Sequence, residues 1–224
     1  GIGSKVQVGE HNLPGAQQTA AQIDTQIAGL QGVLDELASS VRWVVLSGSL
    51  PPGWPDDTYA TLIRHAHAIG ARVMLDTSGP ALSRALAASP EIIKPNRDEL
   101  AEHLGRPLGT VTDIATAAQE LLAAHSGLRL VAVSMGRDGA VFVSPDASFH
   151  AHPLDVAPIS TVGAGDAMVA GIVAAQHDSL TPEGCAALAT AFAAAKLTRL
   201  GPHLPRHEIV RSLTTKVLIT RLSC

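Results

Sequence analysis

The amino-acid sequence predicts an α/β fold in which helices cover both faces of a mostly parallel β-sheet. Short runs rich in Val, Ile and Leu alternate with longer stretches of helical periodicity. The strand-like runs are almost continuously apolar, which is typical of parallel strands buried on both faces. The chain has 224 residues, 46% hydrophobic and 16% charged, so it can bury a substantial core, and we expect one domain over residues 1–224.

The order of the elements follows from their periodicity and their Gly, Pro and capping signals. The predicted strands are residues 41–48, 71–79, 91–96, 128–136, 139–145 and 148–155. The predicted helices are residues 16–37, 56–70, 97–105, 112–125, 163–177, 182–199 and about 205–216. For the helix at 112–125 we expect Thr112 or Asp113 as the N-cap. Residues 1–35 are the least legible, with an edge strand predicted at 5–11.

Composition excludes several classes of function. The formal net charge is −4 and the sequence has no long basic block, so nucleic acid is not an expected partner. No segment approaches the roughly 18 consecutive apolar residues of a membrane span. Cys185 and Cys224 lie far apart, which favours a reducing, cytoplasmic setting over a disulfide framework. These features suit an enzyme that acts on small molecules.

Small, polar or charged residues follow four of the predicted strands. In parallel sheets ligands bind at the carboxyl ends of the strands, so these segments predict where a site lies. They are Ser47-Gly48-Ser49, Asp76-Thr77-Ser78-Gly79, Lys94-Pro95-Asn96 and Ser134-Met135-Gly136.

The segment Gly163-Ala164-Gly165-Asp166 lies where a loop meets a predicted helix. The first amides of a helix lack intrahelical partners and favour an anion, and glycines allow it to approach the backbone. Asp166 beside a bound phosphoryl group would accept the proton of an attacking hydroxyl. The alternative is that Asp166 only caps the helix behind a tight turn. A P-loop would need a Lys after the second glycine, and a dinucleotide fingerprint would need a third glycine where Met168 stands.

The segment "KPNRDEL" offers a second site. Asn96 and Glu99 are three residues apart, so on a helix start they share one side, where they suit a hydrated Mg²⁺. Lys94 would neutralise a phosphate. The alternative is a capping box with Asn96 as N-cap and Glu99 at the third position. Both interpretations can hold together.

Two further segments have a functional and a purely structural interpretation. The loop Ser134 to Gly139 ("SMGRDG") fits a nucleotide's phosphates or base, or is a plain turn with Arg137 and Asp138 at its tip. The segment "SGSLPPG" places Ser49 to hold a sugar hydroxyl, or is only a connection. The ten histidines show no metal-binding spacing, and His65 and His67 point apart on a helix.

Taken in order, "VVLSGSLPPG", "LDTSG", "IIKPNRDEL", "VSMGRDGA" and "STVGAGDAMVAG" resemble the PfkB (ribokinase-like) family of carbohydrate kinases. The match covers roughly residues 41–200, and "SGSLPPG" and "KPNRDEL" resemble the sugar-phosphate branch. The tail "AFAAAKLTRLGPHLP" resembles members that phosphorylate fructose 1-phosphate. An NAD-dependent oxidoreductase is a third alternative. It fits less well, because the glycine pattern of this sequence has the wrong spacing and comes late in the chain.

The resemblance implies ATP-dependent, Mg²⁺-assisted phosphoryl transfer to a phosphosugar hydroxyl, with fructose 1-phosphate as the first expected acceptor and tagatose 6-phosphate or fructose 6-phosphate as alternatives. It implies Asp166 as catalytic base, Gly163, Ala164 and Gly165 as anion hole, and Ser49 as substrate contact. The resemblance also implies a set of nucleotide contacts, in which Gly165 and Asp166 appear again. They are Lys94, Asn96, Ser134, Met135, Gly136, Arg137, Asp138, Gly139, Gly165 and Asp166. Asn96 and Glu99 are implied to bind Mg²⁺ through water, and the full-length protein to form a homodimer.

The sequence departs from the family at its beginning. Members usually start with about a hundred residues that hold a sugar-binding loop and a β-sheet lid, and residues 1–15 match only the end of that region, with Lys5 and Asn12 as candidate contacts. We therefore expect this polypeptide alone to bind nucleotide but to phosphorylate poorly. The alternative of another class is a non-catalytic nucleotide-binding fragment.

Overall fold

The computed structural model describes residues 18–201 and 206–223, which contain a seven-stranded sheet whose strands lie side by side in chain order. The strands are β1 (Trp43–Ser47), β2 (Arg72–Asp76), β3 (Ile92–Ile93), β4 (Leu130–Ser134), β5 (Ala140–Ser144), β6 (Ala147–Ala151) and β7 (Ile219–Leu222). Strands β1 to β4 are parallel, and β5, β6 and β7 each pair antiparallel with the strand before. The predicted α/β class is confirmed, with an antiparallel extension at one side.

Eight helices accompany the sheet in the described part of the chain. They are α1 (Ala20–Leu37), α2 (Thr58–Ala68), α3 (Gly79–Leu86), α4 (Arg97–Leu104), α5 (Val111–Ala124), α6 (Ala164–His177), α7 (Pro182–Leu197) and α8 (His207–Thr214). Among these residues no helix combines the length and the apolar character needed to cross a bilayer.

The helices form a layer on each face of the sheet. Successive side chains of β2 point to opposite faces of the sheet. Val73 and Leu75 pack into the core shared with α2 to α5, whereas Met74 packs into the core shared with α6 and α7. All three side chains are fully buried. Helix α8 packs on the outside of α7 through Val210. Helices therefore cover both faces, as predicted.

Three details differ from the sequence prediction. Helix α3 and strand β7 were not predicted. Thr110, not Thr112 or Asp113, is the N-cap of α5, because its backbone is extended and its hydroxyl accepts a hydrogen bond from the Asp113 amide at 3.1 Å. The predicted strand at 5–11, with Lys5 and Asn12, lies outside the described residues.

The carboxyl ends of the four parallel strands meet at one edge of the sheet, as predicted. Ser47 pairs with Asp76 in the register of β1 and β2. The Lys94 amide donates to the Leu75 carbonyl at 3.1 Å, and a parallel bridge joins Asn96 to Ser134. The fold thus brings four separate segments of the sequence together at one place.

Candidate active site

Helix α6 begins at this sheet edge with an uncapped turn. Gly163 is its N-cap residue, with φ of 77° and no side chain to offer as a cap. Among the described residues, the amides of Gly165 and Asp166 have no hydrogen-bond acceptor, and Asp166 is exposed without a hydrogen bond. The interpretation of Asp166 as a helix cap is therefore wrong. The first turn of α6 presents free amides and a carboxylate to solvent.

Lys94 connects the end of β3 to this turn. Its residue surface is only 5% exposed, and its Nζ lies 3.0 Å from Asp76 Oδ1 at the end of β2. A Cβ atom placed on Gly165 would lie 3.7 Å from the same Nζ. The Asp76 carboxylate stabilises a buried ammonium that would otherwise be strongly unfavourable. Lys94 therefore holds its charge directly against the first turn of α6.

Asp76 is in turn held by Ser47 at the end of β1, and Tyr59 of α2 contacts the segment that follows β1. The Ser47 hydroxyl donates to Asp76 Oδ2 at 3.3 Å, and the Tyr59 hydroxyl donates to the Gly48 carbonyl at 2.9 Å. Burial, and then the negative charge of Asp76, raise the pKa of Tyr59. Ser49 follows Gly48 and is exposed at the end of β1. The structure thus places Ser49 at the same sheet edge, and shows no contact between it and Asp166.

Asn96 and Glu99 form a complete capping box at the start of α4. The Glu99 amide donates to Asn96 Oδ1 at 2.9 Å, and the Asn96 amide donates to Glu99 Oε2 at 2.8 Å. The capping interpretation is confirmed. It leaves Glu99 a second carboxylate oxygen for a hydrated cation. Within residues 18–201 and 206–223, no three His, Cys, Asp or Glu side chains cluster closely enough to hold a metal ion by themselves.

The segment Ser134 to Gly139 forms a tight turn beside Asn96. The Ser134 amide donates to the Pro95 carbonyl at 3.1 Å, and residues 136–138 form a single 3₁₀ turn with Arg137 and Asp138 exposed. Met135 is buried under it. Gly139 has φ of 88° and packs against the Ala151 carbonyl so closely that no side chain would fit. The turn interpretation is confirmed, and the turn lies at the predicted sheet edge.

A cavity of about 390 Å³ opens on the other side of this turn. Asp138 and Met135 line it together with Arg97, His150 and residues of α5, but none of the glycines at the start of α6 does. The rings of His150 and His152 lie 4.1 Å apart, and burial and then His150 lower the pKa of His152. The cavity is therefore separate from the cluster around Lys94.

Comparison with known proteins shows the family of this chain. The profile of the pfkB family carbohydrate kinases matches residues 13–209. The chain belongs to this family. Its relatives include the 1-phosphofructokinases of Rhodobacter capsulatus, 46% identical over 96% of this chain, and of Xanthomonas campestris pv. campestris, 47% identical over 93%. The chain covers 67% and 65% of their lengths, so it spans about two thirds of these relatives.

A solved pfkB-family structure has the same fold. Phosphofructokinase-2 from Escherichia coli, crystallised in complex with substrates and products, is 30% identical and superposes with a TM-score of 0.78. The alignment covers 92% of this chain and 65% of that protein. The sequence resemblance to the PfkB family is thereby confirmed.

Two residues at this site were not predicted from the sequence of this pfkB-family chain. Asp76 was noted at a strand end but given no role, although an acidic residue directly after a buried strand is a usable signal. Lys196 is 5% exposed in α7, and a Cβ atom on Gly163 would lie 3.1 Å from its Cε. Its signal was a single lysine within an alanine-rich helix.

Proposed function

We propose that this chain carries the phosphoryl-transfer centre of an ATP-dependent sugar-phosphate kinase, with fructose 1-phosphate as acceptor and fructose 1,6-bisphosphate as product. The observation that carries the proposal is the meeting of Lys94 with the uncapped start of α6, next to the exposed Asp166. Two 1-phosphofructokinases are 46% and 47% identical to this chain, whereas the ATP-dependent 6-phosphofructokinase isozyme 2 of Escherichia coli is 36% identical, which supports fructose 1-phosphate.

Asp166 acts as general base in this proposal. It accepts the proton of the sugar hydroxyl as the hydroxyl oxygen forms a bond to the γ-phosphorus of ATP. The bond from that phosphorus to the bridging oxygen breaks, and ADP leaves with the electron pair. An exposed carboxylate free of hydrogen bonds to the described residues is available for this role.

The free amides at the start of α6 stabilise the charge that develops on the transferring phosphoryl group. The positive end of the helix dipole and the Lys94 ammonium act in the same direction. Gly163 and Gly165 lack side chains that would block the phosphoryl group, and Ala164 adds only a methyl group. These groups are fixed before the substrate arrives, so little reorganisation is needed during the reaction.

The nucleotide is proposed to lie along Asn96, Ser134 and the turn at 136–139, next to this centre. The donor set fits a hydrated Mg²⁺, because Asp76 and Glu99 carry carboxylate oxygens near the sheet edge while the described residues form no protein cage. When bound, Mg²⁺ would neutralise phosphate charge. Asn96 and Glu99 would hold it through water.

A direct test compares acceptors at saturating Mg-ATP in a coupled assay of ADP release. We expect the highest kcat/KM with fructose 1-phosphate, and lower values with fructose 6-phosphate and tagatose 6-phosphate. Preference for fructose 6-phosphate would move the assignment to the alternative acceptor. If Mg-ATP fails to raise the melting temperature and NAD raises it, the kinase assignment fails.

The expectation that this polypeptide alone binds nucleotide but phosphorylates poorly stays a prediction. Ordinary steady-state turnover from the 224-residue chain would contradict it. Binding of ATP with no transfer to any of the three acceptors would favour the non-catalytic alternative. The single domain over residues 1–224 and the homodimer of the full-length protein also stay predictions, and sedimentation velocity tests the second.

A further inference from the structure

Helix α7 brings a second buried lysine, in addition to Lys94, to the start of α6. Lys196 lies in the last turn of α7 and is 5% exposed. A Cβ atom placed on Gly163 would lie 3.1 Å from its Cε and 3.8 Å from its Nζ. The two lysines therefore flank the first turn of α6, Lys94 against Gly165 and Lys196 against Gly163.

The two lysines differ in how their charge is balanced. Lys94 forms an ion pair with Asp76 at 3.0 Å. Among residues 18–201 and 206–223, Lys196 forms no ion pair with a carboxylate, and its Nζ donates to the Gly201 carbonyl at 2.6 Å. A buried ammonium without an anionic partner is unfavourable, and the positive end of α6 beside it adds to the repulsion. This arrangement is stabilised when an anion binds at the start of α6.

The last turn of α7 also holds the loop that leads into α6. The amides of Ile159 and Ser160 donate to the Leu197 carbonyl at 2.7 and 3.2 Å. Lys196 precedes Leu197, and it touches both the Gly163 turn and Gly201. It therefore connects the Gly163 turn with the segment that follows α7.

We propose that Lys196 is a positioning residue of the phosphoryl site, whose buried charge holds the Gly163 turn and favours a phosphate dianion on the α6 amides. The inference rests on the proposed function, because it assigns the anion to the phosphoryl group of ATP. Because its buried charge has no carboxylate partner among the described residues, we expect Lys196 to lower the stability of the protein when no anion is bound, which a purely structural lysine would not do.

The test uses Lys196→Met, which keeps much of the length and apolar volume of the side chain but removes its charge. Calorimetric titration with Mg-ATP, inorganic phosphate and adenosine is combined with thermal denaturation. We expect affinity for Mg-ATP and phosphate to fall by about tenfold or more, since a charge-assisted contact is lost. Adenosine affinity stays unchanged, and the melting temperature stays the same or rises.

Two further variants separate charge from hydrogen bonding and from general effects. Lys196→Gln can still donate to the Gly201 carbonyl but carries no charge, and we expect it to behave like Lys196→Met. Lys216→Met removes an exposed lysine beyond α8 and should change none of these quantities.

Several outcomes would overturn the inference. These are unchanged Mg-ATP affinity in Lys196→Met, wild-type behaviour in Lys196→Gln, or a parallel loss of adenosine affinity and melting temperature. Failure of both variants to fold would likewise make Lys196 a structural residue. Failure of the proposed function is distinguishable, because then the unmodified chain itself would not bind Mg-ATP.

Discussion

Two helices begin at the same edge of the sheet, and they begin in opposite ways. At the start of α4, Asn96 and Glu99 satisfy each other's backbone amides. At the start of α6, Gly163 offers no side chain, and amides of the first turn are left without acceptors in the described structure. A capped start contributes stability from within the chain, whereas an uncapped start reserves its amides for a ligand. The comparison separates a helix start whose amides are satisfied within the chain from one whose amides are free to bind an anion.

The largest expected effect concerns the carboxylate at the uncapped start. Asp166→Asn should lower kcat for phosphoryl transfer by about 10²–10⁴-fold, because general-base assistance is lost. Affinity for Mg-ATP should change little, so a coupled kinase assay with calorimetric titration checks both parts. The assay uses this chain or, where it is part of a longer polypeptide, that polypeptide. Asp178→Asn, at the exposed far end of the same helix, is the matched control. Near-normal turnover of Asp166→Asn would place the base elsewhere.

Gly163→Ala tests whether the uncapped turn needs glycine for its backbone. The left-handed conformation disfavours alanine by about 1–2 kcal/mol, and the added Cβ would crowd Lys196. We expect a lower free energy of unfolding in urea together with weaker phosphate binding. Gly105→Ala has the same backbone conformation at the end of α4 with open space around it. Gly105→Ala should therefore lower the free energy of unfolding without weakening phosphate binding. Equal phosphate binding by the two variants would contradict the role of the α6 turn.

Asn96→Ala removes the cap from the capped start. The free energy of unfolding should fall by about 1 kcal/mol, because one amide of α4 loses its acceptor. Thr181→Ala removes the corresponding cap of α7, which follows the end of α6 opposite its uncapped start, and should cost a similar amount. Mg-ATP affinity should fall only for Asn96→Ala. Equal nucleotide affinity in the two variants would mean that Asn96 acts only as a helix cap.

Glu99→Gln gives the smallest expected change in stability. The glutamine oxygen can still accept from the Asn96 amide, so the free energy of unfolding should change by less than about 0.5 kcal/mol. The Mg²⁺ concentration required for half-maximal activity should rise, which a metal titration at fixed ATP measures. Glu102→Gln, exposed on the same helix, should leave the titration unchanged. A shift in both variants would point to a general charge effect.

The capping box was visible in the sequence because Asn96 and Glu99 are only three residues apart. The Gly-Ala-Gly-Asp string predicted amides open to an anion at a helix start, but it left open whether Asp166 caps that helix, and the structure excluded the cap. Helix α3 escaped prediction because its eight residues begin with Gly79-Pro80, which reads equally well as a turn. Strand β7 escaped because four residues near the end of the chain become a strand only by pairing with β6.

The sequence by itself determined the α/β class, strands β1 to β4, the starts of α4 and α6 and the family, because these depend on local periodicity and on ordered motifs. Only the tertiary structure decided which buried charges lie at the start of α6. Lys94 meets Asp76 because β3 lies beside β2, and Lys196 meets Gly163 because α7 packs along α6. These contacts join residues 18 and 33 positions apart, and their electrostatic effect depends on burial, which no local pattern specifies.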